Sequence, residues 1–241
     1  MDPSKTVVTP ERFARGMTFD EYVRFVATPK NLAREGSGGE KRRDWSGHLR
    51  TTFEVTRLHP EQVEALKWLA AQPGGPVKML VIAEEWSSDC RRDLPVFARM
   101  AVAAPLELRI FPRDGQKFSS SARPTLAEAP DSNADLMSEF LNDKNGRTWQ
   151  SIPVAAFYTR DLEYLYHYVE YPAIYHKDDV VGRHIRGARP GETPEQTRER
   201  AGREFMALQA SPFFQIWACA GVDEMISSLH ERLVLGRPAS A

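Results

Sequence analysis

The sequence predicts an α/β fold: a central mixed β-sheet flanked by helices, with an N-terminal helical extension and two insertions. Three observations predict it. Residues 77–83 (VKMLVIA) form a short, largely apolar run of the kind that sits in a sheet covered on both faces. From there strand-like and helix-like segments alternate, which calls for parallel strands joined by crossover helices. The last two strand-like segments, within 153–169, follow each other directly and predict an antiparallel hairpin.

The elements follow in order. Thr18-Phe19-Asp20-Glu21 has the form of a capping box and opens a helix to about Ala27. Residues 30–50 are polar, with Gly36, Gly38 and Gly39, and read as a loop. Pro60 begins a helix with Val63, Leu66 and Leu69 on one face, ended by Gly74-Gly75. After the strand at 77–83, residues 88–104 read as a helix with Leu94, Phe97, Ala98 and Ala101 inward. Residues 106–111 read as a strand and 135–141 as a helix. The polar stretch 112–131 reads as a surface insertion. A second insertion covers 170–209, within which Thr193-Pro194-Glu195 opens a helix. Ser211-Pro212 opens the terminal one, where Gly221 is a point of bending or breakage. Tyr164, Tyr166 and Tyr168 alternate along one strand face and are expected to pack on a helix. The division expected is an extension at 1–74 and one domain at 75–241.

Bulk properties narrow the function classes. The 241 residues are 41% hydrophobic, enough for a sizeable core. Charges nearly cancel, 32 Lys and Arg against 33 Asp and Glu, so no global field favours nucleic acid or an acidic membrane. No apolar run approaches the roughly 18 residues of a membrane span. The N-terminal residues lack a basic-then-apolar secretory pattern. Only Cys90 and Cys219 occur, which suits a reducing cytoplasm. His176, Asp178, Asp179 and His184 match no defined metal spacing, so neither metal nor cofactor is expected.

Glu84-Glu85-Trp86-Ser87-Ser88-Asp89-Cys90, following an apolar strand, resembles the thioredoxin active site, where a strand ends in Trp-Cys-x-x-Cys. Pro95, five residues after Cys90, matches the family's helix-kinking proline. Ser151-Ile152-Pro153 before an apolar strand resembles the family's cis-proline, and the Gly146-Arg147 turn is shared with bacterial thioredoxin-like proteins. The resemblance covers about residues 77–170 and the terminal helix. It implies a peptide groove bounded by Trp86, Ser88, Asp89, Ile152 and Pro153.

The departures from the family bear on mechanism. Ser87 stands at the attacking position, and a serine cannot form a disulfide, so two-cysteine exchange is closed. Val81 stands where many thioredoxins place a buried acid. Three roles for Cys90 remain. As a single reactive thiol it would draw on the helix dipole, Arg91 and Arg92 to favour thiolate, with Ser87 hydrogen-bonding it, and would form mixed disulfides with glutathione or a protein partner. As a shielded small hydrophobe it would leave a chemically degenerate binding module. As a peroxidatic thiol it would use the Ser-x-x-Cys spacing of peroxiredoxins, although Ala83 and Arg91 replace that family's prolines.

Overall fold

The computed structural model describes residues 7–144 and 146–236. Helices α1 (Pro10–Ala14), α2 (Phe19–Val26), α3 (Pro29–Leu32), α4 (Ser46–Val55) and α5 (Pro60–Ala71) come first. Then follow β1 (Lys78–Ala83), α6 (Ser88–Ala103), β2 (Glu107–Pro112), α7 (Ala134–Met137), the short strands β3 (Asn142–Lys144) and β4 (Arg147–Trp149), and β5 (Val154–Tyr158) and β6 (Tyr164–Val169). A π-helical turn, Asp178–Ile185, leads to α8 (Pro194–Gln209) and α9 (Pro212–Val234).

The main sheet has the order β2-β1-β5-β6. β1 runs parallel to β2 and antiparallel to β5, and β5 runs antiparallel to β6, so the sheet is mixed as the sequence predicts. Val81 pairs with Ile110 on one side and Ala155 on the other. β5 is buried along its whole length, which explains why VAAFY carries no polar face.

The first helices join the same core: Phe13, Tyr22, Leu49 and Leu66 cluster with Leu80, Phe97 and Phe157. Met17 also extends the sheet, exchanging both main-chain hydrogen bonds with Ile110 at the β2 edge. Gly16 permits that approach, since a Cβ there would lie 2.6 Å from the Phe111 ring. A covered edge cannot recruit another strand.

Several elements differ from expectation. Residues 30–50 are not one loop: they hold α3 and the start of α4, and Asn31, Arg34, Arg42 and Leu49 in them are buried. Their polarity concealed this because the buried charges find partners in the turn that follows β1. The helix expected over 135–141 stops at Met137, although Phe140 remains buried. The β3–β4 hairpin was not anticipated. α9 runs unbroken through Gly221, where an added Cβ would come within 3.1 Å of the Tyr168 hydroxyl. Tyr166 and Tyr168 are buried on the α9 side of β6, Tyr166 bonding to Ser228.

Residues 170–209 build a satellite core of their own. Tyr175, Val181 and Ile185 are buried there beside Phe205, Leu208 and Trp217. Tyr175 stacks on Trp217 with ring centroids 3.7 Å apart, which fastens this segment to α9. No single described helix is long and apolar enough to cross a membrane; α8 and α9 satisfy the criterion only as a pair bent by 60°.

Candidate functional site

β1 ends at Ala83, and the chain turns through Glu84, Glu85 and Trp86 into α6. Ser87 is the N-cap of that helix: its Oγ accepts from the Cys90 main-chain N–H at 3.4 Å. The serine therefore has a structural task at the position where the family attacks with a thiol, satisfying one of the helix's free donors. Pro95 lies inside α6, and the Ile152–Pro153 peptide bond is cis.

Cys90 has no exposed surface. Burial pushes its thiol up; a main-chain hydrogen bond from Glu84 and the Ser87 hydroxyl pull the other way, while Asp89 and Asp93 raise it further. In the reactive-thiol reading, the helix start and the two following arginines favour thiolate. Desolvation of the charged form outweighs them here. Arg92 is committed to Asp93 at 2.6 Å and Asp89 at 2.9 Å. Cys219 is half-buried, and neither cysteine is in a disulfide.

Above the loop lies an open cleft of about 500 Å³. Trp86, Ser87, Ser88 and Asp89 form one wall, with Ile152 opposite. Of the residues expected at the groove, Trp86, Ser88, Asp89 and Ile152 are brought together, joined by Ser87. Pro153 is buried behind Ile152, and Cys90 lies beneath the wall without lining it. Phe118 and Ser119 from 112–131, Trp149 from β4, and Lys177, Arg186 and Phe205 from 170–209 complete the cleft. Both insertions thus contribute walls. Trp86 meets Phe118 edge-on at 5.6 Å, and the Arg113 guanidinium lies 5.2 Å from the Trp86 ring and 5.1 Å from the Phe118 ring.

Two buried ionic networks hold the cleft's base. In the first, Arg42 bonds Glu84 and, at 2.9 Å, Glu85, while Arg34 meets Glu84 at 2.7 Å. Asn31 donates to Glu85 at 3.1 Å, and the Asp114 main-chain N–H donates to Glu84 at 2.7 Å. Burial and neighbouring Glu84 raise the Glu85 pKa despite Arg42. In the second, Lys177 bonds both Asp89 and Glu170 at 2.6 Å, and the Tyr168 hydroxyl donates to Asp93 at 3.2 Å. Burial disfavours the Lys177 charge, but the two carboxylates overcome it and hold its pKa above the ordinary lysine value.

Sequence reasoning missed Arg34, Arg42, Arg113 and Lys177, since scattered cations in polar segments carry no spacing signal. Among the described residues no group of three His, Cys, Asp or Glu side chains is placed to hold a metal ion. His176, Asp178, Asp179 and His184 are exposed.

Among solved structures, the chain is similar to a protein of unknown function from Pseudomonas aeruginosa, at 15% identity and a TM-score of 0.50, over 93% of this chain and 98% of that one. An HIV epitope scaffold aligns at 16% identity and a TM-score of 0.47, over 91% of this chain and 96% of the scaffold. No curated protein sequence matches. The sequence model of the thioredoxin family matches residues 41–129, a span that contains β1, the Trp86–Cys90 loop, α6 and β2. With the mixed sheet built around those elements, the chain has a thioredoxin-like fold, and its resemblance to the thioredoxin family is carried by residues 41–129.

Proposed function

We propose that this chain is a thioredoxin-fold binding module that takes an extended protein segment in the cleft beside Pro153. One contrast carries the reading: the cleft is open while the thiol beneath it is closed off. Ser87 is engaged as a helix cap and Cys90 has no exposed surface. Across the cleft, the main-chain N–H and C=O groups of Ile152 make no hydrogen bond among the described residues. Unpaired main-chain groups next to a sheet offer strand-like pairing to an incoming segment. The aromatic walls Trp86, Phe118 and Trp149 supply apolar contact area.

A second reading keeps a single-thiol reaction at Cys90, forming a mixed disulfide with glutathione or a partner protein. The Ser87 hydroxyl and a main-chain hydrogen bond from Glu84, both of which lower the thiol pKa, favour it. Burial opposes it, and opposes peroxide reduction for the same reason, because the thiolate is the nucleophile in both.

Selection of short random peptides on the intact chain tests the proposal. Selected peptides should bind a Cys90→Ala variant as they bind the wild type. Filling the cleft with Ser88→Trp should weaken them about tenfold or more. Binding that requires Cys90, or that a reductant reverses, would replace the module reading with the thiol one.

A further inference from the structure

Arg91 is a buried guanidinium with no carboxylate within ion-pair distance among the described residues, and it lines the cleft. Its donors go to neutral groups: the Glu85 and Trp86 carbonyls at 2.9 and 2.8 Å and the Gln209 side-chain oxygen at 3.1 Å. Its cation lies 3.9 Å from the Trp45 ring centroid. Buried charges are ordinarily paired, because an uncompensated one carries a large desolvation cost. Burial lowers the Arg91 pKa, and Asp89 and Glu85, neither within ion-pair distance, do not recover it.

The other charges of the cleft do not supply that counter-charge. Arg113 is neutralised by Asp114 at 2.8 Å. Lys177 is shared between Asp89 and Glu170, and Asp89 also serves Arg92. Arg186, exposed at the mouth, forms no ion pair among the described residues and lies 5.5 Å from the Phe205 ring. Among the side chains that line the cleft, Arg91, Arg113, Lys177 and Arg186 outnumber Asp89 and Glu170, so the cleft stays cationic even with Asp114 counted against Arg113.

We infer that the segment this cleft accepts is acidic, with an Asp or Glu carboxylate acting as the missing counter-ion for Arg91 and Arg186. The inference rests on the module reading above and adds the chemistry of the ligand. It explains why a chain with nearly balanced charge places two uncompensated cations at one opening.

The test is a set of three random-peptide pools on the intact chain. Each fixes one central position, as Asp/Glu, Asn/Gln or Lys/Arg, and affinity is read by the change in tryptophan fluorescence. The acidic pool should bind about tenfold tighter than the neutral pool at low salt, and the basic pool weakest. The preference should shrink as salt rises. Arg186→Gln, an exposed change that leaves the core untouched, should lose several-fold of the preference, and Arg91→Gln more. Arg91→Lys, which retains the charge, should recover part of it. Three pools binding alike would overturn the acidic preference and leave the module reading standing. If no pool binds, both fall.

Discussion

Lys177 Nζ sits 2.6 Å from Asp89 Oδ2, and this contact ties the segment after β6 to the first turn of α6. The same ammonium holds Glu170 at 2.6 Å. One side chain thereby bridges the chain's second insertion and the loop that resembles an active site.

Replacing Lys177 by Met should loosen that bridge. The variant takes from Glu170 its ion pair with Lys177 and leaves Asp89 with Arg92 alone. The expected loss is about 2 kcal/mol, below the roughly 3–5 kcal/mol of a fully buried pair because Lys177 keeps some contact with water. Urea unfolding measures it. Limited proteolysis should also cut within 170–209 faster than in the wild type, and unchanged cleavage would show that α9 alone holds the segment.

Arg42→Met removes the cation shared by Glu84 and Glu85, all three side chains being fully buried. Two carboxylates then face each other with Arg34 as the remaining strong partner. We expect destabilisation of about 3–5 kcal/mol by chemical denaturation. Lys67→Met provides the contrast. Its partner Glu64 lies equally close, at 2.9 Å, but both side chains are more than half exposed. That change should cost less than about 0.5 kcal/mol. Equal losses in the two variants would mean that burial does not govern the strength of these pairs.

The fold was legible because its signals are local: VKMLVIA is largely apolar, and the caps at Thr18, Thr193 and Ser211 and the first-turn proline Pro60 mark helix starts. The cleft was half legible. Trp86 to Asp89 and Ile152 carry a motif, whereas Arg91, Arg113 and Lys177 matter through partners far along the chain, as with Lys177 and Asp89. The polar look of residues 30–50 misled for the same reason. Arg34 and Arg42 read as solvated charges until Glu84 and Glu85 are placed beneath them. The burial of Cys90 was one of three readings the sequence left open, and it is decided only by tertiary packing.

The Ser87–Cys90 relationship is directly testable. The two side chains are in hydrogen-bond contact, so Ser87→Cys should bring two sulfurs together at the start of α6. Under mild oxidation the variant should form an 87–90 disulfide, seen by mass spectrometry as the loss of two hydrogens. In the unmodified chain, iodoacetamide at mildly alkaline pH should label half-buried Cys219 slowly and Cys90 only after unfolding. Rapid native labelling of Cys90 would restore the reactive-thiol reading. Ser87→Ala should cost about 1 kcal/mol as a lost cap.

Asp93 yields a pH signature. Burial pushes its carboxyl up to about 6, beyond what the Arg92 guanidinium and the Tyr168 hydroxyl recover, and Asp89 adds to the rise. An unfolded aspartate titrates near about 3.9. Between about pH 4 and 6 the folded chain therefore holds more protons at this site than the unfolded chain, so this group's contribution to stability falls as pH rises. Below about pH 3.9 both states are protonated and the effect vanishes. Above about pH 6 the penalty is complete, on the order of 3 kcal/mol at about 1.4 kcal/mol per unit. Asp93→Asn removes this titration while Arg92 keeps Asp89. Measured by urea unfolding, wild-type stability relative to the variant should decline by that amount from about pH 4 to about pH 6 and level off above. A difference that stays flat across the window would mean that Asp93 ionises like an ordinary aspartate, and that its pairing with Arg92 fully offsets the cost of burial.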